Sequence, residues 1–157
     1  DAPGPDDLAD GPSFVFPGVT VRPVPGPTMS SGGTASLHAW HRFSGELGSQ
    51  AEHQGVLAWG TCGDAIALAM RDHADVVRID QAHRSVSTGV IAHTVHFLDD
   101  IDVTDWMLVV HEATHAGGGR VHGTGQVFTS GGQLVATFSQ DSMAKAAAES
   151  LDPSRSM

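Results

Sequence analysis

The chain has 157 residues, enough for one domain with a sizeable core, and its 40% hydrophobic and 17% charged content is that of a globular protein. A net charge of -10 with eight Lys and Arg residues argues against a nucleic-acid surface and against docking on an anionic membrane. The single Cys62 excludes an internal disulfide framework and fits a reducing, cytoplasmic setting, and no apolar run reaches the roughly 18 residues of a membrane span.

Residues 1–12 are rich in Pro, Gly and Asp without periodicity, so residues 1–18 read as a flexible lead-in. Short extended pieces follow at Phe14-Val15-Phe16 and Val19-Thr20-Val21, punctuated by Pro17, Pro23, Pro25 and Pro27. Residues 29–34 form a Ser/Gly loop. Residues 35–43 then alternate as a strand, with Leu37, Ala39, His41 and Phe43 on one face and His38, Trp40 and Arg42 on the other. The spacing predicts a helix over 52–71, with Val56, Trp59, Ala67 and Met70 on its apolar face. Its small residues (Gly55, Ala58, Gly60, Gly63) weaken it intrinsically, so it is expected to be buried under a closely wrapped sheet.

Residues 72–83 are a charged connection with a short strand at Val76-Val77. Residues 85–97 form a β-branched strand with Val86, Thr88, Val90, Ala92, Thr94 and His96 on one face, followed by an acidic loop over 99–105. Three more strands are expected at 106–115, 119–129 and 133–141, the last two joined through Ser130-Gly131-Gly132. Residues 143–151 are alanine-rich and read as a short helix in a C-terminal tail spanning 145–157. The pattern is α+β: a strand, one long helix, then an antiparallel meander of about four strands.

His111-Glu112-Ala113-Thr114-His115 has the letter pattern of a zinc-hydrolase motif. On a helix the two histidines would stand about 6 Å apart and share one ion. On a strand they would be about 13 Å apart and could not. The β-prone run Met107-Leu108-Val109-Val110 before it and Gly117-Gly118-Gly119 after it favour the strand. No metal or other cofactor is therefore expected, with a zinc metallohydrolase through His111, Glu112 and His115 as the remote alternative.

Several pieces resemble one family in order and spacing. Val21-Arg22-Pro23-Val24 looks like its domain entry, and Trp40 with Arg42 resembles its W-x-R strand. His53-Gln54 followed by Leu57-Ala58-Trp59 looks like its helix start, and His93 with Phe97 is similar to its DH-x-x-x-F strand. Trp106, Glu112, Thr114, Arg120, Gly125, Gly132, Leu134-Val135-Ala136 and Gln140 fall in register with its final stretch. The family is the acyl-CoA thioesterase II (TesB-like) family, and the match, over residues 19–144, is to its second hotdog domain. The resemblance implies a hotdog fold, a long helix wrapped by a curved antiparallel sheet. It implies hydrolysis of acyl-CoA to free acid and CoA, with an Asp on the helix, a Thr or Ser on the next strand and a Gln on the last. Carried over, Gln140 matches directly. The Asp position falls on Cys62, with Asp64 two residues on, and the hydroxyl position on Val90, with Thr88 two residues before it. The expected catalytic set is Asp64, Thr88 and Gln140, with Asp64 needing a local helix irregularity near Gly60 and Gly63. A lone hotdog domain would expose an edge strand, so a homodimer or a partner hotdog domain is expected. The second reading is a non-catalytic half that binds acyl-CoA or pairs with a catalytic one.

Overall fold

The computed structural model describes residues 3–9, 18–25, 35–62 and 86–146. Asp64, the pieces at Phe14 and Val76, and the alanine-rich end beyond residue 146 lie outside the described residues. The described elements are β1 (Val19–Pro23), β2 (Ala35–Phe43), α1 (Gln50–Gly60), β3 (Val86–Phe97), β4 (Met107–Gly117), β5 (Arg120–Thr129) and β6 (Leu134–Ala146). The strands form one six-stranded antiparallel sheet in the order β1-β2-β4-β5-β6-β3. The expected α+β architecture stands.

The helix starts where its capping chemistry places it. Ser49 accepts from the backbone of Glu52, and the Glu52 carboxylate accepts in return from the Ser49 and Gly48 N–H groups. These backbone bonds, Gly48 first, hold the Glu52 carboxyl below its ordinary pKa. α1 closes at Gly60 with Thr61 as C-cap, and residues 63–71 of the expected helix lie outside the described residues. Leu57 carries the buried face, while Trp59, expected on that face, is 44% exposed.

The strands do not form a simple meander. β3 pairs with β6 rather than β4, and β4 pairs with β2. The connection from β3 to β4 therefore crosses from the far edge of the sheet to the β2 side, passing the start of α1. Gln50 on α1 grips it at both backbone groups of Ile101: Nε2 donates to the carbonyl at 3.0 Å and Oε1 accepts from the N–H at 2.9 Å. His53 Nδ1 accepts from the Val103 N–H at 3.2 Å, and Phe43 N donates to the Val103 carbonyl at 2.8 Å. Ile101 and Val103 are thereby buried in the main core with Leu57, Met107, Val109, Val127, Val135, Ala136 and Phe138. The stretch expected as an acidic loop supplies two core residues. Asp102 between them stays outside, its carboxyl lowered by bonds from the Thr104 hydroxyl and backbone N–H.

Two irregularities correct the face assignments. On β3, Val90 pairs with Ser142 and Ala92 with Asp141, leaving Ile91 as an extra residue. The single face expected for Thr88, Val90, Ala92, Thr94 and His96 is thus split at Ile91, and beyond it His93 and Val95 continue the side that Val90 starts. On β4, Ala113 pairs with Gly123 and His115 with His122, leaving Thr114 as the extra residue. His111 is fully buried on the helix side, whereas His115 falls on the outer face opposite His122. The HExxH letters are on a strand and the bulge turns its two histidines to opposite sides of the sheet. One metal ion cannot be shared between them.

Gly118 and Gly119 join β4 to β5 with φ of 58° and 78°, the paired left-handed conformation of a two-residue type I′ hairpin. The β5–β6 turn at Ser130-Gly131-Gly132 closes with Gly132 N donating to the Thr129 carbonyl at 2.9 Å. β6 then runs through Ala146, so residues 143–146 are strand rather than the helix expected there. They are held by β3 alongside, Val86 to Val90 pairing with Ala146 to Ser142.

The outer face explains the W-x-R pattern. Two guanidinium groups lie over the Trp106 ring, Arg22 at 4.6 Å and Arg42 at 4.5 Å from its centroid. Residues 3–9 of the expected lead-in dock there: Trp40 Nε1 donates to the Pro3 carbonyl at 3.1 Å and Arg22 to the Pro5 carbonyl at 2.8 Å.

Candidate active site

Gln140 sits on the central part of β6, paired with His93 on β3 and Gly123 on β5. It faces the helix side and is 1% exposed. Its Nε2 lies 3.9 Å from Cys62 Sγ, just past the end of α1. The residue facing the glutamine amide is thus a thiol.

The end of α1 is fastened over this spot by Thr61. Its hydroxyl donates to the Leu57 carbonyl at 2.9 Å and meets His93 Nε2 at 3.2 Å. A hydroxyl has one proton, and with that proton on Leu57 the oxygen accepts from a protonated His93 Nε2. Thr61 thus ties the helix end to the edge strand, and Cys62 follows it directly.

Beside Gln140 the wall of the site is aromatic. The Phe138 ring stands 5.6 Å from His93 and, edge-on, 5.1 Å from His111. It lies across β5 at Gly125, where an added Cβ would collide with the ring at Cζ, Cε1 and Cε2. Gly125 is required for this close approach rather than for its backbone angles. A separate groove of about 490 Å³ opens on the outer face, lined by His96, Val110, Glu112, Thr124, Gln126 and Thr137 among others. Gln140 does not line it.

Of the expected catalytic residues, Gln140 is buried against the helix end. Thr88 is placed by its backbone, opposite Ala144 and two residues before Val90. Asp64 lies outside the described residues. Sequence reasoning missed Thr61 as a latch and Ser142 as a second buried polar residue on the Gln140 side. The period-two spacing from Gln140 to Ser142 was the available signal.

Residues 1–144 match the family described as acyl-CoA thioesterase C-terminal domain. The chain belongs to that family. A relative, acyl-CoA thioesterase 2 of Haemophilus influenzae, is 27% identical over 110 residues, which is 69% of this chain and 37% of the relative. Among solved structures, an acyl-CoA thioesterase II, TesB2, from Mycobacterium marinum superposes with a TM-score of 0.72 at 26% identity, covering 94% of this chain and 56% of that one. A hotdog-fold protein of unknown function from Alicyclobacillus acidocaldarius, 24% identical, gives 0.57 over 94% of this chain and 55% of its own. The hotdog fold follows, and this chain spans about half the length of these structures or less of the curated relative. Among the described residues no helix is long and apolar enough to cross a membrane.

Proposed function

We propose that this domain acts in hydrolysis of acyl-CoA thioesters to free acid and CoA. The observation that carries the reading is Gln140: an amide at the family's glutamine position, withdrawn from bulk water and held against the end of the helix. A buried amide N–H there donates to a reacting oxygen with little competition from solvent. Thr88 and Asp64 complete the proposed set, Asp64 taking the proton from the attacking water. No resident cofactor is needed for such a step.

We further propose that a second hotdog domain, in a homodimer or as a partner, covers β3. This strand is a sheet edge of 12 residues, and Val90, Ile91, Phe97 and Leu98 around it are exposed. The relatives' greater length supports room for such a domain. A cytoplasmic setting is supported by the lone thiol.

The test is thiol release from acyl-CoA of short to long chain, comparing the wild type with Gln140→Ala. Removing one oxyanion donor from such sites typically costs about 10²- to 10³-fold in kcat. An equally active Gln140→Ala would refute the role of Gln140. Acyl-CoA binding without release at any chain length would favour the non-catalytic half, a reading that the thiol at Cys62 in place of a carboxylate keeps in play.

A further inference from the structure

We infer that the hydroxyl missing at Val90 is supplied by Ser142, its direct partner across the β3–β6 ladder, and that Ser142 helps Gln140 hold the reacting water. The inference rests on the thioester-hydrolysis reading above.

The family's hydroxyl position falls on Val90, whose side chain has no polar atom. Val90 pairs with Ser142 in the last register step before the Ile91 bulge. Directly opposed residues of an antiparallel pair project to the same side, with Cβ atoms about 4.5–5.5 Å apart. A hydroxyl on Ser142 therefore stands one strand over from where a threonine at 90 would put it, on the same side of the sheet.

Ser142 also belongs to the Gln140 side. Burial along β6 alternates, with Phe138 3%, Gln140 1% and Ser142 0% exposed and Asp141 and Met143 between and beyond them exposed. Two residues along a strand span about 6.6 Å. One water with two hydrogen bonds of ordinary length bridges groups up to roughly 6 Å apart, the span the inference assigns to the Gln140 amide and the Ser142 hydroxyl.

The hydroxyl is in an unusual state for a structural serine. Ser142 Oγ is fully buried and has no hydrogen-bond partner among the described residues. A buried hydroxyl without a partner destabilises a fold, and alanine would serve packing as well there. A polar atom kept at that cost, beside a buried amide, is placed for something that arrives. Val90, by contrast, is 39% exposed at the sheet edge, where a hydroxyl would be in competition with solvent.

In the step itself the water oxygen forms a bond to the thioester carbonyl carbon. The water proton passes to the proposed carboxylate, Asp64, and on to the departing sulfur as the C–S bond breaks. Acyl-CoA and water thus become free acid and CoA thiol. Ser142 gains and loses nothing: it orients the water before attack.

The experiment measures kcat, KM and melting temperature for the wild type, Ser142→Ala, Val90→Thr and the Ser142→Ala/Val90→Thr double variant. Ser142→Ala is expected to lose about 10²-fold in kcat, the scale on which a reacting group misplaced by about 1 Å is slowed, with KM within about twofold and a melting temperature unchanged or raised. Val90→Thr in that background is expected to recover about tenfold by restoring a hydroxyl on the same side. A kcat equal to wild type in Ser142→Ala overturns the inference, as does a loss that follows a lowered melting temperature and that Val90→Thr fails to relieve. No turnover in the wild type overturns the hydrolysis reading and this inference together. An active wild type with an unimpaired Ser142→Ala overturns this inference alone.

Discussion

Gly125→Ala puts a methyl group where the Phe138 ring now lies. The Cβ would fall inside contact distance of three ring carbons, with Cε2 the most distant at 2.8 Å. The ring cannot simply slide aside. His111 stands edge-on at 5.1 Å on one flank, His93 at 5.6 Å on another, and Phe138 is 3% exposed. Neither can the β5 backbone retreat easily, since Gly125 is paired on both sides, with His111 and with Phe138. Overpacking a well-filled core costs about 1–3 kcal/mol, occasionally more. At about 2–4 °C per kcal/mol for a chain of this size, the melting temperature should fall by roughly 2–12 °C. Urea unfolding gives the free-energy change directly if the slope is unaltered. Phe138→Ala alone should cost about 3–5 kcal/mol through its cavity. The double variant decides the cause: the new methyl occupies part of the vacated space, so the two losses should sum to clearly more than the double variant shows. Additive losses, or a Gly125→Ala protein within about 0.3 kcal/mol of wild type, would show that the ring does not depend on the missing Cβ.

Two further outcomes are expected. Ser49→Ala removes the cap that closes the first turn of α1 and should cost about 1 kcal/mol in urea unfolding; Ser49→Asp should retain most of it, and equal losses in both would count against the cap. Glu52 and Asp102 both have carboxyls lowered in the folded protein. A lowered folded value means that the stabilisation is complete above the unfolded values, roughly 4.3 for Glu and 3.9 for Asp, and is lost as the pH falls through the folded ones. Stability should therefore decline on acidification from about pH 5 to pH 3, and Glu52→Gln and Asp102→Asn should each flatten that decline. Parallel stability–pH curves for wild type and variants would refute it.

Much of the sheet was legible because its strands carry strong local signals. β2 was delimited at both ends, and Ser130-Gly131-Gly132 marked the β5–β6 hairpin, whereas the Gly118-Gly119 turn was read only as a bar to a helix. The pairing order was not legible, because it depends on what holds the β3–β4 connection. The grip of Gln50 and His53 on Ile101 and Val103 joins residues some 50 positions apart, and the acidic neighbours disguise two core side chains. The bulges were equally silent. Ile91 and Thr114 are β-branched residues inside long strands, so nothing local distinguishes an extra residue from a paired one. Of the site, Gln140 was found through resemblance, whereas Thr61 and Ser142 are small polar residues that become informative only with a partner distance or its absence.

The bulges also bear on the chemistry. Across the sheet, Ala113, Gly123, Gln140 and His93 form one cross-strand row, and Ala116, Val121, Ser142 and Val90 form the next on the same side. Both extra residues, Thr114 on β4 and Ile91 on β3, fall between these two rows. Bulges bend a strand and increase its twist locally. Two of them on either side of β5 and β6, at one level, concentrate curvature between Gln140 and Ser142. Each also resets the alternation of its own strand, so that His93 and Val90 share a side despite being an odd number of residues apart. Without the extra residue at Ile91, His93 could not meet Thr61 while Val90 faced Ser142. The sheet is irregular between two buried polar side chains, Gln140 and Ser142, and regular pairing would have turned one of the flanking residues, His93 or Val90, to the other side.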